Sequence, residues 1–107
     1  HIVMLIDSYQ ATLRIARMHA QAGNIAAKGQ AITKAINLVS QGLRGSLNLE
    51  QGGEIAAQLD QLYDYVVRLL LRANLNNDDA ALNTAAELLE NVAAAWRAIG
   101  TQTEEAQ

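Results

Sequence analysis

The sequence predicts an all-α protein, an antiparallel up-down-up-down four-helix bundle. Three observations lead there. Proline and phenylalanine are absent, aromatics are 4% of the 107 residues and alanine is abundant, so nothing interrupts helix and little favours strand. The apolar residues fall into four series with alternating steps of three and four, the period of one helical face. Clusters of Gly, Asn and Asp separate the series, and these residues end and cap helices.

Helix 1 covers about 1–22, on the stripe Ile2, Leu5, Ile6, Tyr9, Leu13, Ala16 and Ala20. Gly23-Asn24 suits a helix end followed by a new cap. Helix 2 covers 25–44, with Ile25, Ile32, Ile36, Val39 and Leu43. A longer connection, Gly45 to Gly53, holds three glycines and Asn48. Helix 3 covers 53–74, with Ile55, Leu59, Leu62, Val66, Leu69 and Ala73 expected as its core stripe. Asn74 to Asp79 supplies three asparagines and two aspartates, good caps and poor helix interior. Helix 4 covers 79–99, with Leu82, Ala85, Leu89, Val92, Trp96 and Ile99; Gly100 is expected to end it before a polar tail at 101–107. Each helix is about 20 residues, or roughly 30 Å. The stretch 1–100 reads as one domain, large enough to bury roughly two-thirds of its unfolded surface without staples.

Composition excludes much chemistry. Net charge is −3 with both signs scattered and no basic stripe, so no nucleic-acid partner is expected. The absence of cysteine excludes disulfides and thiolate metal sites. No apolar run approaches the roughly 18 residues of a membrane span, so no membrane insertion is expected. There is no signal-peptide pattern, and the chain opens inside a helical period. A di-metal carboxylate bundle needs Glu-x-x-His pairs, and neither His1 nor His19 has Glu three residues before it. His19 reads as a solvated surface residue. Histidine phosphotransfer bundles typically show His-x-x-Lys-Gly, and His19-Ala20-Gln21-Ala22-Gly23 has alanine in place of the lysine. A phosphate loop needs Gly-x-x-x-x-Gly-Lys, which Gly52, Gly53 and the only lysines, Lys28 and Lys34, do not form. Asp60, Asp64, Arg68 and Arg72 share one side of helix 3 and read as a solvated face, with Asp64 and Arg68 at pairing distance. Glu87 and Glu90 point outward with Asn83 and do not make a catalytic acid pair. No catalytic residue, metal ligand or cofactor is expected, and the chain does not read as an enzyme.

What it has in surplus is apolar surface. Opposite the core face of helix 1 lies a second strip, Met4, Ala11, Ile15, Met18 and Ala22, separated from the first by polar residues on both sides. An edge helix needs only one apolar face, so this strip is read as a partner surface. Methionine suits an adaptable contact. Helix 3 carries Ala56, Tyr63, Val67, Leu70 and Leu71 beside its stripe, and helix 2 adds Leu38. The wide face of helix 3 fits either core packing or a partner groove. The candidate partner-binding residues are Met4, Ile15, Met18, Leu38, Tyr63, Val67 and Leu71.

One stretch is specific as a word: Gly52-Gly53-Glu54-Ile55-Ala56, then Leu59-Asp60, Leu62-Tyr63-Asp64-Tyr65, Arg68-Leu69 and Ala73-Asn74. It resembles the FliS family of flagellin export chaperones. Met4-Leu5-Ile6-Asp7, Lys34-Ala35, Ser46-Leu47-Asn48, Asn77-Asp78, Leu88-Leu89 and Ala95-Trp96 extend the resemblance over nearly the whole chain. Members usually begin with further residues before helix 1, which cap the groove where flagellin binds. Gln58 stands where asparagine is common. The resemblance implies a cytoplasmic bacterial protein that binds the disordered C-terminal region of flagellin. Binding would prevent premature polymerisation and aid export through the flagellar type III apparatus, with export-gate components as further partners and no cofactor. Two readings of other classes remain: a structural bundle that buries its strips in self-association, and a phosphotransfer-like signalling domain using His19.

Overall fold

The protein is four helices in an antiparallel ring, with no strand among the described residues. The structure, a computed structural model, describes the backbone of residues 1–106 and the side chains of residues 1–100. α1 spans Ile2–Ala22. Gly23 follows at φ 76°, its N–H donating to Ala20 O while the Asn24 N–H reaches His19 O at 2.8 Å. This pair of bonds satisfies the last carbonyls and needs a residue that tolerates the left-handed region, which glycine does.

α2 spans Ile25–Asn37, short of the end expected at residue 44. The chain keeps coiling, first as a π-helical stretch, Leu38–Leu43, then as a 3-10 turn, Arg44–Ser46. α3 runs Leu49–Asn76, opened by Asn48, whose side chain accepts from the Gln51 N–H at 3.0 Å. Inside it Gly53 sits at φ 55°, ψ −132°, a conformation closed to residues with a Cβ, and the helix axis turns there. Gly52 is needed for a different reason: a Cβ on it would lie 2.5 Å from the Ala56 Cβ. The glycine pair thus aims the long part of α3 along the bundle.

Asn77, at φ 51°, closes α3, and Asp78 opens α4 by accepting from the Ala81 N–H at 3.1 Å. α4 spans Asp79–Ala106, passing through Gly100 where an end was expected. A single glycine costs a helix interior only about 1 kcal/mol. No proline follows to enforce a stop.

α1 packs on α2 and α4, and α3 packs on α4 and α2. The core is built of layers from all four: Ile6, Tyr9, Leu13 and Ala16; Ile32, Ala35, Val39 and Leu43; Tyr63, Val66, Leu70 and Ala73; Leu82, Ala85, Leu89 and Ala93. Polar ties set the antiparallel register. The Tyr9 hydroxyl donates to Ala85 O at 2.9 Å, and Arg97 pairs with Asp7 at 3.2 Å. Burial pushes the Tyr9 hydroxyl well above the ordinary tyrosine range. Arg44 grips Asp60 at 2.6 Å and Asp64 at 3.3 Å, while buried Lys28 donates to Asn74 O at 3.3 Å and to the Asn77 side chain. The α2–α3 seam is therefore held by one basic residue at each end. The Asp64–Arg68 pair expected along α3 is present at 3.2 Å, with both partners largely solvated.

Candidate partner-binding site

The stripe expected as the core of helix 3 does not stay in the core. Val66, Leu69 and Ala73 are buried, but Leu59 and Leu62 are only half-buried and Ile55 is 70% exposed. The inward line in this half is Ala56 and Tyr63 instead. From Ile55 to Tyr63 the buried line lies about one residue, 100°, from the predicted face, and from Val66 onward the predicted stripe is buried again. Tyr63 is correspondingly a correction. Expected on a partner surface, it is 1% exposed and belongs to the buried cluster that all four helices share.

α4 leaves the core in the same region. Leu82, Ala85, Leu89 and Ala93 are buried, whereas Val92 is half-buried, Trp96 is 40% exposed and Ile99 is exposed. A heptad stripe drifts roughly 20° per repeat around a straight helix, enough to carry its far end onto a flank. The two displaced stripes face each other. Ile55, Leu59 and Leu62 form one wall and Leu88, Val92, Trp96 and Ile99 the other, around an open groove of about 470 Å³ with Asn91 and Ala95 completing it. Along α4 it extends about 16 Å, three helical turns. Among the described lining residues the only polar groups are the Asn91 amide and the Trp96 indole N–H, and none is charged. This groove can bind an apolar helical stripe, and none of its described lining residues is suited to bond-making chemistry.

The other expected site residues lie elsewhere. Met4 and Met18 are 73% and 63% exposed and Ile15 is 47% exposed, so the second strip of α1 is open. Ile15 overlooks a shallow groove toward α2, floored by Ala27 and Ala31 and edged by His19, Gln30 and Lys34. Leu38 is half-buried, packing on the core and lining a polar depression on α2. Val67 is half-buried against the core and Leu71 is exposed. These residues do not converge on one surface. Sequence reasoning missed the α3–α4 groove because it assigned every one of its large apolar side chains except Leu88 to the core. No local signal marked them: adjacent Leu69 and Leu70 are both buried, whereas Leu88 beside buried Leu89 is half-buried.

No helix among the described residues is long and apolar enough to cross a membrane. The model of the family described as Flagellar protein FliS matches residues 1–103. The flagellar secretion chaperone FliS of Salmonella typhimurium is 47% identical over 98 residues, covering 92% of this chain and 73% of that protein. The Escherichia coli protein of the same name is 41% identical over 96 residues, covering 90% of this chain and 71% of its own length. The flagellar secretion chaperone FliSB of Pseudomonas aeruginosa is 38% identical over 98 residues, 92% of this chain and 77% of that protein. These relatives are named as chaperones, not as enzymes, in keeping with a bundle that presents grooves rather than reactive groups. With a family match over nearly its full length, the chain belongs to the FliS family of flagellar secretion chaperones.

Proposed function

We propose that the protein is a cytoplasmic chaperone for flagellin. It binds the disordered C-terminal region of flagellin, prevents its premature polymerisation and delivers it to the flagellar type III export apparatus, where export-gate components are the next partners. The observation that carries this reading is the uncovered α3–α4 groove, an apolar three-turn channel on a protein whose named relatives are secretion chaperones. A disordered tail that folds on binding loses about 2–5 kcal/mol or more in ordering, so it needs long apolar contacts. The groove supplies one, and the Met4, Ile15 and Met18 strip of α1 supplies a second. Leu71, with the edges of Val67 and Leu38, offers smaller apolar contacts. Holding such a tail requires no cofactor or energy source.

The test uses the single tryptophan, which lines the groove. Titration with a flagellin C-terminal peptide should shift Trp96 emission to the blue as the groove dries, and calorimetry should give a saturable heat. Trp96→Ala should weaken binding by about 2 kcal/mol or more, the scale of a central aromatic anchor. A heat with no emission change would place the peptide away from the groove. A stable dimer in light scattering that ignores the peptide would replace this reading with self-association.

A further inference from the structure

Charges that look scattered along the chain segregate by hairpin. Residues 1–49, which contain α1 and α2, carry five Lys or Arg and a single acid, Asp7. Residues 50–107 carry three Arg and ten Asp or Glu. From residue 8 to residue 49 there is no carboxylate side chain at all. Three of the five basic residues are engaged inside the bundle: Arg17 with Asp79 and Asn83, Lys28 at the end of α3, and Arg44 with Asp60 and Asp64. The other two, Arg14 and Lys34, are exposed and form no ion pair among the described residues.

Their positions flank the open strip of α1. Lys34 stands across the α1–α2 groove from Ile15, above the Ala27 and Ala31 floor, with the His19 ring at the same edge. Arg14 lies on the opposite flank, toward α4. On that side Asp7 and Glu90 are both held by Arg97, which leaves Glu87 as the neighbouring acid. The positive field is thus strongest on the α2 side. α1 and α2 are continuous helices, so the face offers side chains and no unpaired strand edge. A ligand there must satisfy its own backbone, which a helix does.

We propose that the α1–α2 face docks an acidic amphipathic helix. Its apolar stripe lies over Ile15 and Met18, and its flanking carboxylates meet Lys34 and Arg14. From Met4 to Met18 the strip is about 21 Å long, room for roughly 14 residues of helix. The charge complementarity selects the occupant: an apolar strip bordered by uncommitted cations attracts acidic amphipathic helices and repels basic ones. The proposal rests on the α1 strip being a docking surface, as proposed above, and not on the docked protein being flagellin.

The probe is a fluorescent helix-forming peptide of about 16 residues with leucine and alanine on one face and glutamate on both flanks. Its twin carries lysine in place of each glutamate. The acidic peptide should bind the full chain at least about tenfold more tightly than the twin, and raising salt from about 0.05 to 0.5 M should erase most of that preference. Lys34→Glu combined with Arg14→Glu should reduce affinity at least about tenfold while circular dichroism stays unchanged. Trp96→Ala should leave the acidic peptide bound as before. Equal binding of the two peptides, or indifference to the charge reversals, overturns the proposal. So does Lys34-dependent binding of a fluorescent oligonucleotide or an anionic-lipid vesicle with none of the acidic peptide. If the acidic peptide binds as expected while a flagellin peptide gives neither a saturable heat nor a change in Trp96 emission, this inference stands and the flagellin assignment falls.

Discussion

Lys28→Met should destabilise the bundle. The side chain is 2% exposed, and its ammonium donates to Asn74 O and to the Asn77 side chain at the C-terminal end of α3. Methionine preserves most of the aliphatic volume and removes the donors. A hydrogen bond from a charged group contributes about 1.5–3 kcal/mol, but Asn77 is exposed and its oxygen can turn to water. Asn74 is half-buried, so its carbonyl is the acceptor left poorly satisfied. The favourable placement of a cation at a helix C-terminus adds about 0.3–1 kcal/mol. Against these stands the desolvation of the ammonium, which the mutation relieves. We expect a net loss of about 1–2 kcal/mol, or roughly 5–15 °C in Tm for a domain of this size. Thermal melts followed by circular dichroism measure it, and hydrogen exchange at the Asn77 and Asp78 amides, both bonded to Ala73 O, should accelerate. Asn77→Gly keeps the left-handed cap and deletes one acceptor. Its effect should be smaller, and in the double variant the two losses should fall short of their sum, because they share one bond. A Lys28→Met variant as stable as the parent, or more so, would refute the reasoning and show that the buried charge costs as much as its bonds return.

Three further outcomes follow from the geometry. Gly53→Ala forces a Cβ onto φ 55°, ψ −132° and should cost about 1–3 kcal/mol in urea unfolding, with no loss of helical signal below the transition. Ile15→Asp should leave Tm within about 2 °C because the side chain is half in water, whereas Leu89→Asp in the core should abolish folding; a comparable fall for Ile15→Asp would place the α1 strip in the core. Stability should decline as pH rises through 10, the ordinary tyrosine value, because the unfolded chain ionises there while buried Tyr9 stays protonated and hydrogen-bonded to Ala85 O. Tyr9→Phe should flatten that decline by up to about 1.4 kcal/mol per pH unit, read from urea midpoints between about pH 9 and 11.

Much of this protein was legible in the residues. Absent proline, abundant alanine and four apolar series dictate helices, because each series can bury itself only on one face of a 3.6-residue period. The Gly23-Asn24 and Asn77-Asp78 junctions are equally local, since left-handed closure and side-chain capping depend on residues within one turn. The opening of the α1 strip was also readable: two apolar faces 180° apart cannot both meet a single bundle. Gly52 and Gly53 were readable as the end of the connection into helix 3, though not that one is fixed by a close approach to Ala56 and the other by its backbone angles.

The seam of α3 was not readable, and the groove depended on it. The face of this helix is wide enough for two lines, Ile55-Leu59-Leu62 and Ala56-Tyr63-Leu70, and periodicity ranks them equally. Tertiary packing chose the second: Ala56, Tyr63 and Leu70 are buried, whereas Ile55 is 70% exposed. That choice turned three residues expected in the core into a wall, and the drift of α4 supplied the opposite wall. Sequence alone determined that the chain forms four helices carrying more apolar surface than one core can bury. Only the tertiary structure decided where the excess of α3 and α4 lies, since rotation of a helix about its own axis is set by the neighbours it packs against.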